Sequence, residues 1–161
     1  MEIIDDYKII IIPPAEIDDA VRGKDGLNLN WLEAVKSAEI INSLKPDEVI
    51  MDCPSTNVKA FSSYVRERLN VKTKLKAEHK ADLVYPIVSA ASVIAKVTRD
   101  GEIQKIKQKI GEDVGSGYPA DPRTKEFLEK NYKKHANIFR QSWSTYKNVA
   151  AKREQGKLGE F

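Results

Sequence analysis

Three short strand-like runs, each followed by a stretch of helical spacing, constrain this chain most. Tyr7-Lys-Ile-Ile-Ile-Ile-Pro13 is β-branched and apolar on both faces, and Pro13-Pro14 closes it. Glu48-Val-Ile-Met-Asp52 is a second strand, ending in a carboxylate, and Lys72 to Glu78 alternates polar and apolar residues as a third. Between the first two runs, Asn28 or Asn30 can cap a helix to about Leu44, with Leu32, Val35, Ile41 and Leu44 as its buried stripe. Pro46 forbids its continuation. Between the second and third, Val58, Phe61, Val65 and Leu69 recur at helical spacing. Tyr85 to Lys96 is rich in small and apolar residues and reads as a close-packed helix, resuming through Lys109 with Gly111 as its cap. Asp121-Pro122 starts a helix to about Lys134, and another spans Arg140 to Arg153. This order, β-α-β-α-β and then helices, predicts an α/β fold with a helical C-terminal part.

Composition narrows the function classes. The chain has 161 residues, 41% hydrophobic and 32% charged, which excludes a disordered chain. The apolar run Ile9 to Ile12 is far short of the roughly 18 residues that span a bilayer, so no membrane role is expected. The acidic opening Met1-Glu-Ile-Ile-Asp-Asp6 is unlike a signal peptide. The single cysteine, Cys53, allows no internal disulfide and points to a reducing cytoplasm. Net charge is only +3, but it is unevenly spread. Residues 1–95 hold 12 basic and 15 acidic side chains, whereas 96–161 hold 15 and 9. An acidic part that holds cations and a basic part that holds a polyanion would produce this division, as would solvated helix faces.

Asp52 closes one strand and Asp82 follows the next. Sites in α/β sheets form at the carboxyl ends of strands, where two converging carboxylates suit Mg²⁺ or Mn²⁺ and phosphate chemistry. An Asp in this position is also a common helix cap. Gly115-Ser116-Gly117-Tyr118 offers backbone N–H groups that can approach phosphate oxygens, and Tyr118 can stack on a sugar or base. Ser89 and Ser92 have no evident base partner. His79 is a candidate proton shuttle, and His135 sits near a helix end, where its charge favours the dipole. The terminal Gln155-Gly-Lys-Leu158-Gly-Glu-Phe161 spaces a glutamine, an aliphatic and an aromatic three apart, a small plug for a partner's hydrophobic pocket. Gly156 and Gly159 disfavour a free helix there, so the tail is expected to order on binding.

Five blocks occur in order: Ile50-Met-Asp52-Cys-Pro-Ser-Thr-Asn57, Ala77-Glu-His-Lys80-Ala-Asp82, Tyr85 to Lys96, Gly115-Ser-Gly-Tyr-Pro-Ala-Asp-Pro-Arg-Thr124, and Arg140-Gln-Ser-Trp143. Together they closely resemble ribonuclease HII (type 2 ribonuclease H) of the archaeal kind. The resemblance implies an RNase H-like mixed sheet flanked by helices, lacking the family's N-terminal strands. It implies a metal-dependent endonuclease that cuts the RNA strand of RNA/DNA hybrids and duplex DNA with embedded ribonucleotides, leaving 5′-phosphate ends. Asp52 and Asp82 match the last two of four metal-binding carboxylates. Tyr118, with Gly115 and Ser116, matches the block that senses the RNA–DNA junction, and Lys80 is placed beside the scissile phosphate. Gln155, Leu158 and Phe161 resemble the motif that binds the PCNA sliding clamp.

On this reading, residues 1–112 form the RNase H-like portion, 113–150 a helical part contacting nucleic acid, and 151–161 a flexible clamp-binding tail. The family's opening Asp-Glu strand and Gly-Arg-Gly loop have no counterpart in this sequence, and Asp47-Glu48 does not replace them. The expectations are weak metal binding and impaired cleavage by the chain alone, and self-pairing through an uncovered edge of the Tyr7–Pro13 strand. The competing expectation is a non-catalytic module that binds nucleic acid and clamp.

Overall fold

The computed structural model describes residues 6–158, with side chains through Gln155. Its elements are α1 (Pro14–Val21), α2 (Leu29–Leu44), β1 (Glu48–Asp52), α3 (Val58–Arg66), β2 (Lys74–Glu78), α4 (Ala81–Val84), α5 (Pro86–Ile110), α6 (Pro122–Asn131) and α7 (Ser144–Leu158). Single 3₁₀ turns fall at Lys24–Gly26 and Ala136–Ile138. The α/β class is as expected, with helix predominating over a small parallel sheet. Among the described residues no helix is long and apolar enough to cross a membrane.

Two compact units divide the chain, one holding residues 6–11 and 23–96, the other 12–22 and 97–158. In the first, β1 and β2 pair in parallel, with Glu48 opposite Lys74 and Asp52 opposite Glu78. Neighbours in this register share a face. Val49, Leu75, Met51 and Ala77 therefore look into the core, while Ile50, Asp52, Lys76 and Glu78 share the other face. The core side is filled by Ala34, Ala38, Ile41, Cys53, Phe61 and Val65. Phe61 and Val65 are completely buried, each contributing about 1.5–3 kcal/mol of transfer free energy. Trp31 stacks on Tyr64 with ring centroids 4.3 Å apart.

The helix ends follow local chemistry. Asn28 Oδ1 accepts the Trp31 N–H at 3.0 Å, and Asn57 Oδ1 accepts the Ala60 N–H at 3.0 Å. Lys45, at φ +52°, ends α2 one residue before Pro46. The α2 stripe is Leu32, Ala34, Ala38 and Ile41, with Val35 and Leu44 only half-buried. The small residues win the centre because α3 lies close against it.

In the second unit Val114, Phe127, Leu128 and Phe139 make the core, lined by Ile103, Ile106 and Tyr146. Asp18 is its buried charge, 3% exposed, accepting the N–H groups of Gln141 at 2.7 Å and Ser142 at 3.0 Å. Gly111 caps α5 as expected, with φ +76° and its N–H on the Lys107 carbonyl at 2.8 Å.

Two expectations are corrected. Residues 7–13 are not a strand; they pair with no described strand, and Tyr7 and Ile11 are more than half exposed. A β-branched run carries strand propensity, but a strand also needs a partner. The tail is helical further than expected, since α7 continues through Gly156 to Leu158. The helix-favouring run Ala150 to Glu154 leads directly into that glycine.

Candidate active site

The carboxyl ends of β1 and β2 bring several polar groups together. Asp52, the last residue of β1, is exposed, and its Oδ1 accepts the Ala81 N–H at 3.1 Å, capping the first turn of α4. Both readings of Asp52 are thus compatible, since capping occupies one carboxylate oxygen. His79 Nδ1 lies 3.1 Å from the Cys53 carbonyl oxygen, and a carbonyl only accepts, so Nδ1 carries the proton. That bond uses one ring nitrogen to hold the two strand ends together. Cys53 donates its N–H to the Glu78 carbonyl at 2.9 Å, extending the ladder one step past Asp52. Lys80 is exposed and left-handed, at φ +57°. The chain reverses there into α4, whose second residue is the half-buried Asp82.

Two acidic neighbours of Asp52 escaped the sequence reading. Glu33 of α2 is an exposed residue whose carboxyl is partly desolvated; that desolvation first, and the Asp52 charge second, push its pKa up. Glu78 stands opposite Asp52 in register, and its carboxylate pairs with Lys76 Nζ at 3.0 Å and accepts from the Tyr85 hydroxyl at 2.8 Å. Hydrogen bonding to Lys76, then to Tyr85, holds the Glu78 carboxyl below the usual range. The alternation Lys74-Leu-Lys76-Ala-Glu78 gave the face, but only the folded register sets Glu78 beside Asp52.

The donor set suits a hard divalent cation in kind, because Asp52 and Asp82 supply only carboxylate oxygens. Among the described residues, no group of three or more His, Cys, Asp or Glu side chains is placed to hold a metal. The fit is to part of a coordination shell.

The Gly115–Tyr118 loop lies in the other unit. Gly115 and Gly117 have φ of +69° and +74°. A Cβ on Gly115 would meet Thr124 Oγ1 at 2.5 Å, and one on Gly117 would meet Ile103 Cδ1 at 2.7 Å. Gly115 N–H donates to Asp113 Oδ1 at 3.0 Å, Ser116 N–H to Asp121 Oδ2 at 2.7 Å, and Gly117 N–H to Thr124 Oγ1 at 3.0 Å. Tyr118 N–H reaches Ser116 Oγ at 3.4 Å. These amides are therefore spent inside the loop, which corrects the expected phosphate cradle of backbone N–H groups. The glycines are there for positive φ and close packing. Donation from the Ser116 N–H, above all, holds the Asp121 carboxyl far below its ordinary value.

Tyr118 is 48% exposed, and the Arg99 guanidinium lies 3.7 Å from its ring centroid. Arg99 Nη2 also donates to the Ser116 carbonyl at 2.8 Å. Arg99 backs one ring face and pins the turn before it, a role no local signal revealed, since 19 residues separate it from Tyr118. The His135 ring stacks on Phe127, with centroids 6.1 Å apart. Gln155 is exposed on α7; Leu158 ends the helix with its side chain outside the described set, and Phe161 lies outside the described residues.

The sequence profile of the family described as Ribonuclease HII matches residues 11–146. The chain belongs to the ribonuclease HII family. It is 46% identical to Ribonuclease HII of Pyrococcus furiosus, over 99% of this chain and 72% of that protein. The crystal structure of ribonuclease H2 from Pyrococcus horikoshii OT3 superposes with TM-score 0.80 at 44% identity, covering 92% of this chain and 70% of the other. A structure of the PCNA:RNase HII complex from Archaeoglobus fulgidus matches with TM-score 0.72 at 37% identity, covering 83% and 64%. The ribonuclease HII assignment makes this chain a ribonuclease H hydrolase of a divalent-metal-dependent family. It also confirms the α/β fold class.

Proposed function

We propose that Asp52 and Asp82 belong to a metal-dependent endonuclease site acting on the RNA strand of RNA/DNA hybrids and at ribonucleotides embedded in duplex DNA. The observation behind this is the meeting of β1, β2 and α4, where Asp52 at a strand end caps the turn that carries Asp82. Asp52 and Asp82 would hold Mg²⁺ or Mn²⁺; the bound ion would neutralise phosphate charge and lower the pKa of the attacking water. Lys80, exposed between them in sequence, meets the negative charge of the scissile phosphate. Tyr118 offers the ring face not backed by Arg99 to a sugar, reading the RNA–DNA junction. Gly115 and Ser116 serve that contact by shaping the turn. Gln155, Leu158 and Phe161 bind the PCNA clamp, a reading supported by the Archaeoglobus fulgidus complex. The free, buried Cys53 fits a cytoplasmic protein.

The test is cleavage of a duplex containing one ribonucleotide, in Mg²⁺ or Mn²⁺. Cutting on the 5′ or 3′ side that leaves a 5′-phosphate, and falls by more than about 100-fold in Asp52→Asn and Asp82→Asn, is the expected result. Cleavage equal in wild type and both variants overturns it.

A further inference from the structure

We propose that Tyr85 is a positioning residue for the carboxylate site, its hydroxyl tying the far end of α4 to β2 and so setting the seat of Asp82 relative to Asp52. The inference rests on the reading of those two aspartates as cation ligands.

A single turn such as α4 has no stability of its own. Something outside it must hold each end. The near end is well held: Ala81 is fully buried, and its N–H is taken by Asp52. The far end has no comparable burial, because Leu83 is 77% and Val84 65% exposed. Tyr85 follows at once, and its N–H closes the turn on the Ala81 carbonyl at 2.8 Å. Its own carbonyl accepts from Val88 and Ser89, both at 3.0 Å, and so begins α5. Tyr85 is therefore the joint between the two helices.

The hydroxyl of that joint reaches back to the strand. It donates to Glu78 Oε2 at 2.8 Å and accepts from Lys76 Nζ at 2.5 Å. Lys76 Nζ also sits 3.0 Å from Glu78 Oε1 and 5.1 Å from the Tyr85 ring centroid. From Glu78 the chain passes through Lys80 and Asp82 to Tyr85 and returns to Glu78 by this bond. The candidate site residues thus lie on a closed loop, whose strand anchor is the register partner of Asp52. Because Lys76 and Tyr85 occupy both Glu78 oxygens, that carboxylate acts as an anchor rather than a competing ligand.

The clean variant is Tyr85→Phe. It keeps the ring and leaves the Lys76–Glu78 pair, removing only the tie. Mn²⁺ binding by calorimetry is expected to weaken about tenfold, the scale typical of groups that orient a ligand. Amide exchange at residues 82–85 is expected to accelerate. Glu78→Ala should weaken binding similarly, and the double variant should lose no more than either single change. Abolished Mn²⁺ binding in Asp52→Asn and Asp82→Asn, with wild-type affinity in Tyr85→Phe, overturns the role of Tyr85 and spares the site. Unchanged exchange at 82–85 in Tyr85→Phe overturns it whatever the aspartate variants show. Additive losses in the double variant overturn it as well.

Discussion

A single methyl group distinguishes what glycine does at position 117 from what any other residue could do there. The φ of +74° is strained for an L side chain, and a Cβ there would force the Ile103 Cδ1 terminus, 2.7 Å away, to shift. Gly117→Ala is expected to cost about 1–3 kcal/mol from backbone strain and overpacking together, read as a lower urea midpoint at unchanged slope. Gly101, where a Cβ would meet nothing within 4 Å, is the control: Gly101→Ala within α5 should stabilise slightly. Lys80 shows the opposite case, a non-glycine residue held left-handed at +57°. Strain kept at a residue proposed to meet phosphate fits the tendency of such strain to gather at functional sites.

Among the elements, the entry to α7 depends on one carboxylate. Burial alone would raise the Asp18 pKa; donation from Ser142 and Gln141 and the Arg22 charge outweigh it and leave the value lowered. A folded-state pKa below the unfolded one, near 3.9, means more protons are bound on unfolding. The stabilisation is therefore fully present above about pH 4–5 and is lost as pH falls through the lower folded value. Asp121, held low by the Ser116 loop, adds to the same acid window. Asp18→Asn offers one acceptor oxygen to two N–H donors, leaving a buried donor unmet. It is expected to cost about 1–3 kcal/mol at pH 7 and to flatten the fall in stability between pH 4 and pH 2. A denaturation series across that range checks both parts; an acid slope as steep as wild type would contradict the assignment.

At the scale of the whole molecule, the proposed clamp contact can be tested apart from the proposed metal site, because the tail and the carboxylates lie far apart in sequence. Phe161→Ala is expected to weaken PCNA binding by at least about tenfold, as loss of an aromatic anchor does, while Mn²⁺ affinity stays at the wild-type value. Equal clamp affinity in a titration would remove the tail from the interface.

Local chemistry in the sequence already determined much of this protein. Asn28, Asn57, Asp121 and Gly111 stop or start helices through their own side chains or backbone freedom. The strand at Lys74–Glu78 follows from a residue pattern of period two and that at Glu48–Asp52 from a short apolar run between two carboxylates, and the blocks around Asp52, Asp82 and Tyr118 carry the family. What needed tertiary structure were the features whose partners are distant along the chain. Residues 7–13 had strand propensity and no partner strand among the described residues. The amides of the Gly115 loop looked free until Asp113, Asp121 and Thr124 were seen to take them. Arg99 behind Tyr118, Asp18 beneath Gln141 and Ser142, and Tyr85 tied back to Glu78 have no periodic or local signature. Each is a hydrogen bond or a stacked charge, short-ranged and directional, so it exists only where the fold brings its two groups within a few ångströms.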